Sequence, residues 1–173
     1  MRGALSEAIS FWIAARSTAR NDNINSMIYL GADHRGYKHK EALKSFLDEQ
    51  GYQVTDMGTD SEKSVDYPLI AQKVADKVAE DLNNRGILLC GSGEGVAIAA
   101  NKIDGIRAGE AWNADVAYSA RNDDNINVLA LPADHLASDE VNEITQVFLD
   151  TSFSGEERHK RRLEEIKKIE EEN

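Results

Sequence analysis

From Met27 onward the chain alternates short apolar runs with amphipathic helical stretches, and that alternation leaves few architectures open to it. Ile28-Tyr29-Leu30-Gly31 precedes a helical pattern over 37–50, Tyr52-Gln53-Val54-Thr55-Asp56 precedes one over 68–82, and Gly86-Ile87-Leu88-Leu89-Cys90 precedes one over 95–101. Ile106-Arg107-Ala108-Gly109 and Asn127-Val128-Leu129-Ala130-Leu131 continue the series, with a helix over 113–121 between them. Strands separated by helix-length stretches read as βαβ units. Five of them predict a mainly parallel sheet covered by helices on both faces, because parallel neighbours need a crossover and the crossovers bury the sheet. Pro68 suits a first helical turn, and Ser138 followed by Val141 reads as a capped helix start. The final helix, over 155–172, carries only the narrow apolar stripe Leu163, Ile166 and Ile169, which predicts docking on a neighbour rather than burial in a core.

In open parallel sheets, ligands bind beyond the carboxyl ends of the strands, where strand order reverses. Two such ends are chemically loaded here. Asp33-His34-Arg35-Gly36 follows the first strand, and Cys90-Gly91-Ser92-Gly93-Glu94-Gly95 closes the third. Three glycines in five residues let backbone amides converge on one point ahead of a helix N-terminus, a nest suited to an oxyanion. Val96 stands where a dinucleotide fingerprint needs its third glycine, and the Gly-Lys-Ser/Thr of a nucleoside-triphosphate loop is missing. A cysteine at the end of an apolar strand is commonly a small buried hydrophobe. Beside a helix N-terminus such a residue gains thiolate character, which suits a general base. His34 beside Asp33 is a candidate ligand-binding residue. The run Arg158-His159-Lys160-Arg161-Arg162 is the densest basic cluster, and Arg158 and Arg162 share a helix face that could clamp a phosphate.

Composition narrows the partners. With a formal net charge of −11, the surface disfavours nucleic acid and anionic lipid, so an anionic substrate must find a local basic pocket. The 173 residues, 41% hydrophobic, suffice for one core. A single cysteine excludes an intrachain disulfide framework and fits a reducing compartment. No apolar run reaches the ~20 residues of a membrane span. Residues 1–26 read as an N-terminal extension outside the core, leaving 27–173 as one domain. Glu7 and Arg16 break its apolar run, against a secretory signal.

Gly31-Ala32-Asp33-His34-Arg35-Gly36, Asp66-Tyr67-Pro68, the Cys90–Gly95 turn, Ala99-Ala100-Asn101-Lys102, Gly105-Ile106-Arg107-Ala108 and Phe153-Ser154-Gly155 with Arg158-His159 together resemble the ribose-5-phosphate isomerase B and galactose-6-phosphate isomerase family, over Met27 to the C-terminus. The resemblance implies a three-layer Rossmann-like, flavodoxin-like α/β sandwich whose last helix reaches a neighbouring protomer. It implies an aldose-ketose isomerase acting through an enediolate, with no cofactor and no metal, working in the cytoplasm as a homodimer or a tetramer. Cys90 would take the C2 proton, Ser92 would move protons between the sugar oxygens, and Asp33 would bind the hydroxyls. The amides of Gly91, Gly93, Glu94 and Gly95 would hold the enediolate, with Tyr67 and Asn101 lining the substrate. Arg158 and Arg162 would bind the substrate phosphate across the interface, with His34 of the other chain.

Two positions depart from the family. Where ribose-5-phosphate isomerases carry a histidine-asparagine pair that opens the furanose ring, this chain reads Asp123-Asp124, which would take over ring opening and sugar contact. After the fifth strand the family's phosphate arginine is replaced by Asp134, with His135 beside it as a counter-charge. The substrate that the resemblance implies is ribose 5-phosphate. The alternatives are another phosphosugar such as a hexose 6-phosphate, or a non-catalytic phosphosugar-binding subunit.

Overall fold

The computed structural model describes residues 26–172, so the extension expected over 1–26 falls almost wholly outside the described residues. Five strands, β1 (Ile28–Ala32), β2 (Val54–Asp56), β3 (Arg85–Cys90), β4 (Ala108–Glu110) and β5 (Val128–Pro132), alternate with helices α1 (Tyr37–Glu49), α2 (Tyr67–Glu80), α3 (Glu94–Ala100) and α4 (Ala114–Asp124). Helices α5 (Ser138–Asp150) and α6 (Glu157–Glu171) close the chain. Every pairing is parallel and the order is β2-β1-β3-β5-β4.

The three layers expected from the alternation are present. Helices α1, α4 and α5 bury Leu43, Leu47, Ala117, Ile144 and Phe148 against Ile28, Leu30, Ile87, Leu89, Leu129 and Leu131. On the other face α2 and α3 bury Val74, Val78, Val96 and Ala100 against Leu88, Val128 and Ala130. Central strands β3 and β5 are buried on both faces, which is why they read as unbroken apolar runs. Each fully buried Leu or Ile of this core contributes about 1.5–3 kcal/mol relative to exposure.

The order departs from the flavodoxin arrangement 2-1-3-4-5 at one point: β5 inserts between β3 and β4. The departure sets Pro132 opposite Cys90 and moves β4 to the sheet edge. Side-chain amides hold β4 there. Asn101 accepts from the Ala108 N–H (2.8 Å) and donates to the Ala108 carbonyl (2.9 Å). Asn127 does the same for the Arg107 N–H (2.8 Å) and the Gly105 carbonyl (2.9 Å).

Helix ends follow local chemistry. Pro68 lies in the first turn of α2, the Asn113 side chain accepts from the Val116 N–H at the start of α4, and Asn125 ends α4 at φ 49. The start of α5 differs from expectation. Ser138 is already helical and its hydroxyl meets His39 Nδ1, while the Glu140 carboxylate accepts the Ala137 N–H at 2.8 Å. A side chain reaching back from inside the first turn satisfies the free amide as well as a preceding serine would.

Helix α6 packs on α4 and is tethered where Glu170 accepts the Gly105 N–H (2.8 Å). Its Ile166 and Ile169 stay largely exposed and line a groove of about 790 Å³ with Arg107, Asp124 and Glu170. No helix among the described residues is long and apolar enough to cross a membrane.

Candidate active site

Strand order reverses between β1 and β3, so the two chemically loaded strand ends are neighbours at the switch point. Their closeness is built on glycine. A Cβ at Gly36 would fall 2.7 Å from Leu89 Cβ, so only glycine lets the β1 loop lie on β3. Within that loop the buried Asp33 accepts the amides of Arg35 (2.8 Å) and Gly36 (3.1 Å) on Oδ1, which fixes the turn. His34 Nδ1 accepts the Val65 N–H (3.3 Å). That bond puts the proton of the neutral ring on Nε2, available to donate.

Cys90 ends β3, buried, and its Sγ accepts the Gly93 N–H at 3.2 Å. Gly93 sits at φ 78, a conformation that side-chain-bearing residues avoid, and this turns its amide back toward the sulfur. Ser92 projects outward from the same turn, exposed and one residue beyond the nest's first glycine. Tyr67, from the start of α2, lays its ring on Gly95, where a Cβ would come within 2.7 Å of Cζ. Cys90, Gly91, Ser92, Gly93, Glu94, Gly95, Asp33, His34 and Tyr67 are thus brought together as the sequence implied.

The remaining expected residues lie elsewhere. Asn101 caps the far end of α3, where both ends of its amide brace Ala108 of the edge strand and it lines one groove with Asp124. Asp123 and Asp124 end α4, which runs back from the carboxyl edge of the sheet and so carries them about 16 Å toward the opposite edge. There Asp123 Oδ1 accepts from Asn122 (2.7 Å) and stands 3.8 Å from the buried His159 Nδ1, which meets the Ser154 hydroxyl at 2.7 Å. Arg158 pairs with Glu156 (2.8 Å). Among the described residues no hydrogen bond or ion pair links Arg158 or Arg162 to the Cys90 turn. The site residues therefore form two clusters, one at each edge of the sheet.

Two groups at the turn were not anticipated. Glu110, ending β4, packs against Gly93 and hydrogen-bonds Glu94. Burial first, then the Glu94 carboxyl, pushes it up to about 6. The signal was weak, because the expected strand ended at Gly109. Second, Arg35 ion-pairs with Asp134 above Gly91, so the counter-charge to Asp134 is Arg35 and not the exposed His135.

The five-stranded parallel sheet and the cysteine-led glycine turn at its switch point define an α/β protein with a buried thiol beside an oxyanion nest. The sequence profile described as Ribose/Galactose Isomerase matches residues 28–166, and the chain belongs to that family. A putative sugar phosphate isomerase of Bacillus subtilis is 37% identical over 147 residues, 84% of this chain and 98% of the relative. The ribose-5-P isomerase B of Listeria innocua is 38% identical over 74% of this chain and 86% of its own. Among solved structures, ribose-5-phosphate isomerase B of Clostridium thermocellum superposes with a TM-score of 0.82 at 40% identity, covering 84% of this chain and 98% of that one. The Mycoplasma genitalium enzyme, solved with bound ribulose-5-phosphate, gives 0.83 at 36% identity over 86% and 99%.

Proposed function

We propose that the protein interconverts ribose 5-phosphate and ribulose 5-phosphate through an enediolate. The observation that carries this reading is the Cys90 sulfur held by the Gly93 amide at the head of the glycine turn, at the switch point, in a chain whose relatives include an isomerase B solved with ribulose-5-phosphate.

The steps follow from the residues present. The Cys90 thiolate removes the proton on C2 of the open-chain aldose, and the electron pair moves into a C1–C2 double bond, leaving charge on O1. The amides of the glycine turn other than that of Gly93, which is held by the sulfur, stabilise that oxygen, an effect that supplies several kcal/mol where donors are preorganised. The Ser92 hydroxyl passes a proton from O2 to O1. Cys90 then returns its proton to C1 as the ketone forms at C2, so no atom is gained or lost. Asp33 Oδ2 and the Tyr67 hydroxyl hold the sugar hydroxyls and His34 Nε2 faces the phosphate end.

Asp123, Asp124, Arg158 and Arg162 act from a second copy of the chain in a homodimer, where a partner's far-edge cluster meets this chain's turn. The separation of the two clusters supports that reading, as does the exposed Ile166 and Ile169 stripe. A tetramer would pair two such dimers. Residues 27–173 act as one isomerase domain in the cytoplasm, with 1–26 as an appendage. The reading with a hexose 6-phosphate as substrate is favoured by Asp123 alone, which replaces the histidine that the resemblance assigns to opening the furanose ring. Turnover of ribose 5-phosphate against a panel of five- and six-carbon aldose phosphates, with Cys90→Ala as the blank, tests both. Activity on ribose 5-phosphate establishes the first, activity only on six-carbon sugars the second, and silence across the panel rejects catalysis.

A further inference from the structure

The chain is strongly acidic, and Asp33, Glu94, Glu110 and Asp134 all stand around the Cys90 turn. A dianionic ligand entering there needs a fixed cation. Among the described residues one always-charged side chain lies on the turn itself. The Arg35 guanidinium covers Gly91 so closely that a Cβ on that residue would fall 2.5 Å from Nε and 2.6 Å from Nη1.

Three constraints hold it. Asp33 accepts the Arg35 amide, fixing where the side chain starts. The Asp134 carboxylate pairs with Nη2, fixing where it ends. Asp134 is in turn pinned to the turn, because its own N–H donates to the Gly91 carbonyl (3.0 Å), as Ala133 does to that of Cys90 (2.9 Å). The guanidinium nevertheless stays open to solvent, with 56% of the side chain exposed. A planar fork of five donors can keep one edge on Asp134 and offer the other to a phosphate.

We infer that Arg35 binds the substrate's phosphate from within the same chain as Cys90, and that Asp134 is the positioning residue that aims it. The inference rests on the proposed isomerase reading for the ligand's class, a phosphorylated sugar. Arg35 makes the cleft selective for phosphorylated over free sugars.

The test is calorimetric titration of inorganic phosphate and of ribose 5-phosphate into the full chain and its Arg35→Ala, Arg35→Lys and Asp134→Asn variants, with steady-state turnover alongside. Arg35→Ala is expected to weaken both ligands by about tenfold to a hundredfold, the loss of one charge-assisted bidentate contact, with kcat within a few-fold. Arg35→Lys should recover part of the affinity. Asp134→Asn should weaken binding several-fold while leaving the cation in place, a KM effect without a kcat effect. Arg35→Ala binding both ligands within twofold of the parent overturns the assignment, as does a parent chain that binds neither. Because binding is read directly, a parent that takes up phosphate through Arg35 but turns over no sugar would sink the isomerase reading and leave this one standing.

Discussion

The Glu110 carboxyl at the end of β4 shares a hydrogen bond with the Glu94 carboxyl at the start of α3. Burial, and then Glu94, raise Glu110 from the ordinary 4.5 to about 6, because two adjacent carboxylates resist ionising together. The folded chain therefore holds this proton more tightly than the unfolded one. The stability it contributes is fully present below about 4.5 and is lost as pH rises through 6. Glu110→Gln should remove that slope and melt about 2–4 °C above the parent at pH 7.5. The difference corresponds to about 2 kcal/mol for a buried group, halved to about 1 kcal/mol for this partly exposed pair. Melting curves at pH 5 and 7.5 check it; a gap between variant and parent that does not widen with pH rules out the shared proton.

Cys90 fills a small buried site and makes one hydrogen bond to a turn that glycine shapes independently. Cys90→Ala should melt within a few degrees of the parent and lose about a thousandfold in kcat, the range expected for an essential base. Retention of more than a tenth of parental kcat would exclude that role.

Complementation between variants tests the shared site. If Cys90 and Arg162 of one working site come from different copies, Cys90→Ala and Arg162→Ala chains are each impaired alone. Mixed and re-equilibrated, they form heterodimers with one intact site, and statistical pairing predicts recovery to about a quarter of parental activity. No recovery after verified exchange of subunits would place both residues in one copy's site.

Lys40 is buried on α1, hydrogen-bonded to Asp56 and Glu41, with its nitrogen 5.5 Å from the Tyr37 ring centre. Burial opposes the charge on both partners. The hydrogen bonds outweigh it, so Lys40 is raised and Asp56 is lowered from 3.8. Lys40→Met keeps the packing but leaves Asp56 with the Gly58 amide (3.0 Å) and, as its one remaining cation, the more distant Lys44 (3.3 Å), and should cost about 3 kcal/mol at pH 7. Since Asp56 is lowered, by Lys40 and also by the Gly58 amide that it accepts, the pair's stability is present above 3.8 and lost as pH falls through the folded value. The penalty measured by denaturant titration should therefore shrink at pH 3. An equal penalty at both pH values would show that packing alone was lost.

Much of this was legible in the sequence because it is local. Hydrophobic runs marked β3 and β5, since both faces of those strands are buried. The glycine spacing marked the turn because Gly93 must take a positive φ and Gly95 must admit Tyr67. The strand order was not legible: any helix long enough to cross the sheet permits β5 to settle on either side of β4, and nothing local decides between them. For the same reason Arg35 and Asp134 could not be paired, since they meet only once β5 lies beside β3. The bracing role of Asn101 was not legible, because an amide that braces backbone and one that binds sugar look alike as a letter.

The placement of β5 between β3 and β4 also orders events during synthesis. β4 leaves the ribosome before the one strand it pairs with, and β3 emerges with one flank open until the same strand arrives. A growing chain that has reached Ala111 therefore holds the Cys90 sulfur but has neither a finished sheet nor the Asp134 anchor. The thiol and its enclosure are thus separated in time, and one late segment, Val128–Asp134, supplies the missing strand and the anchor together.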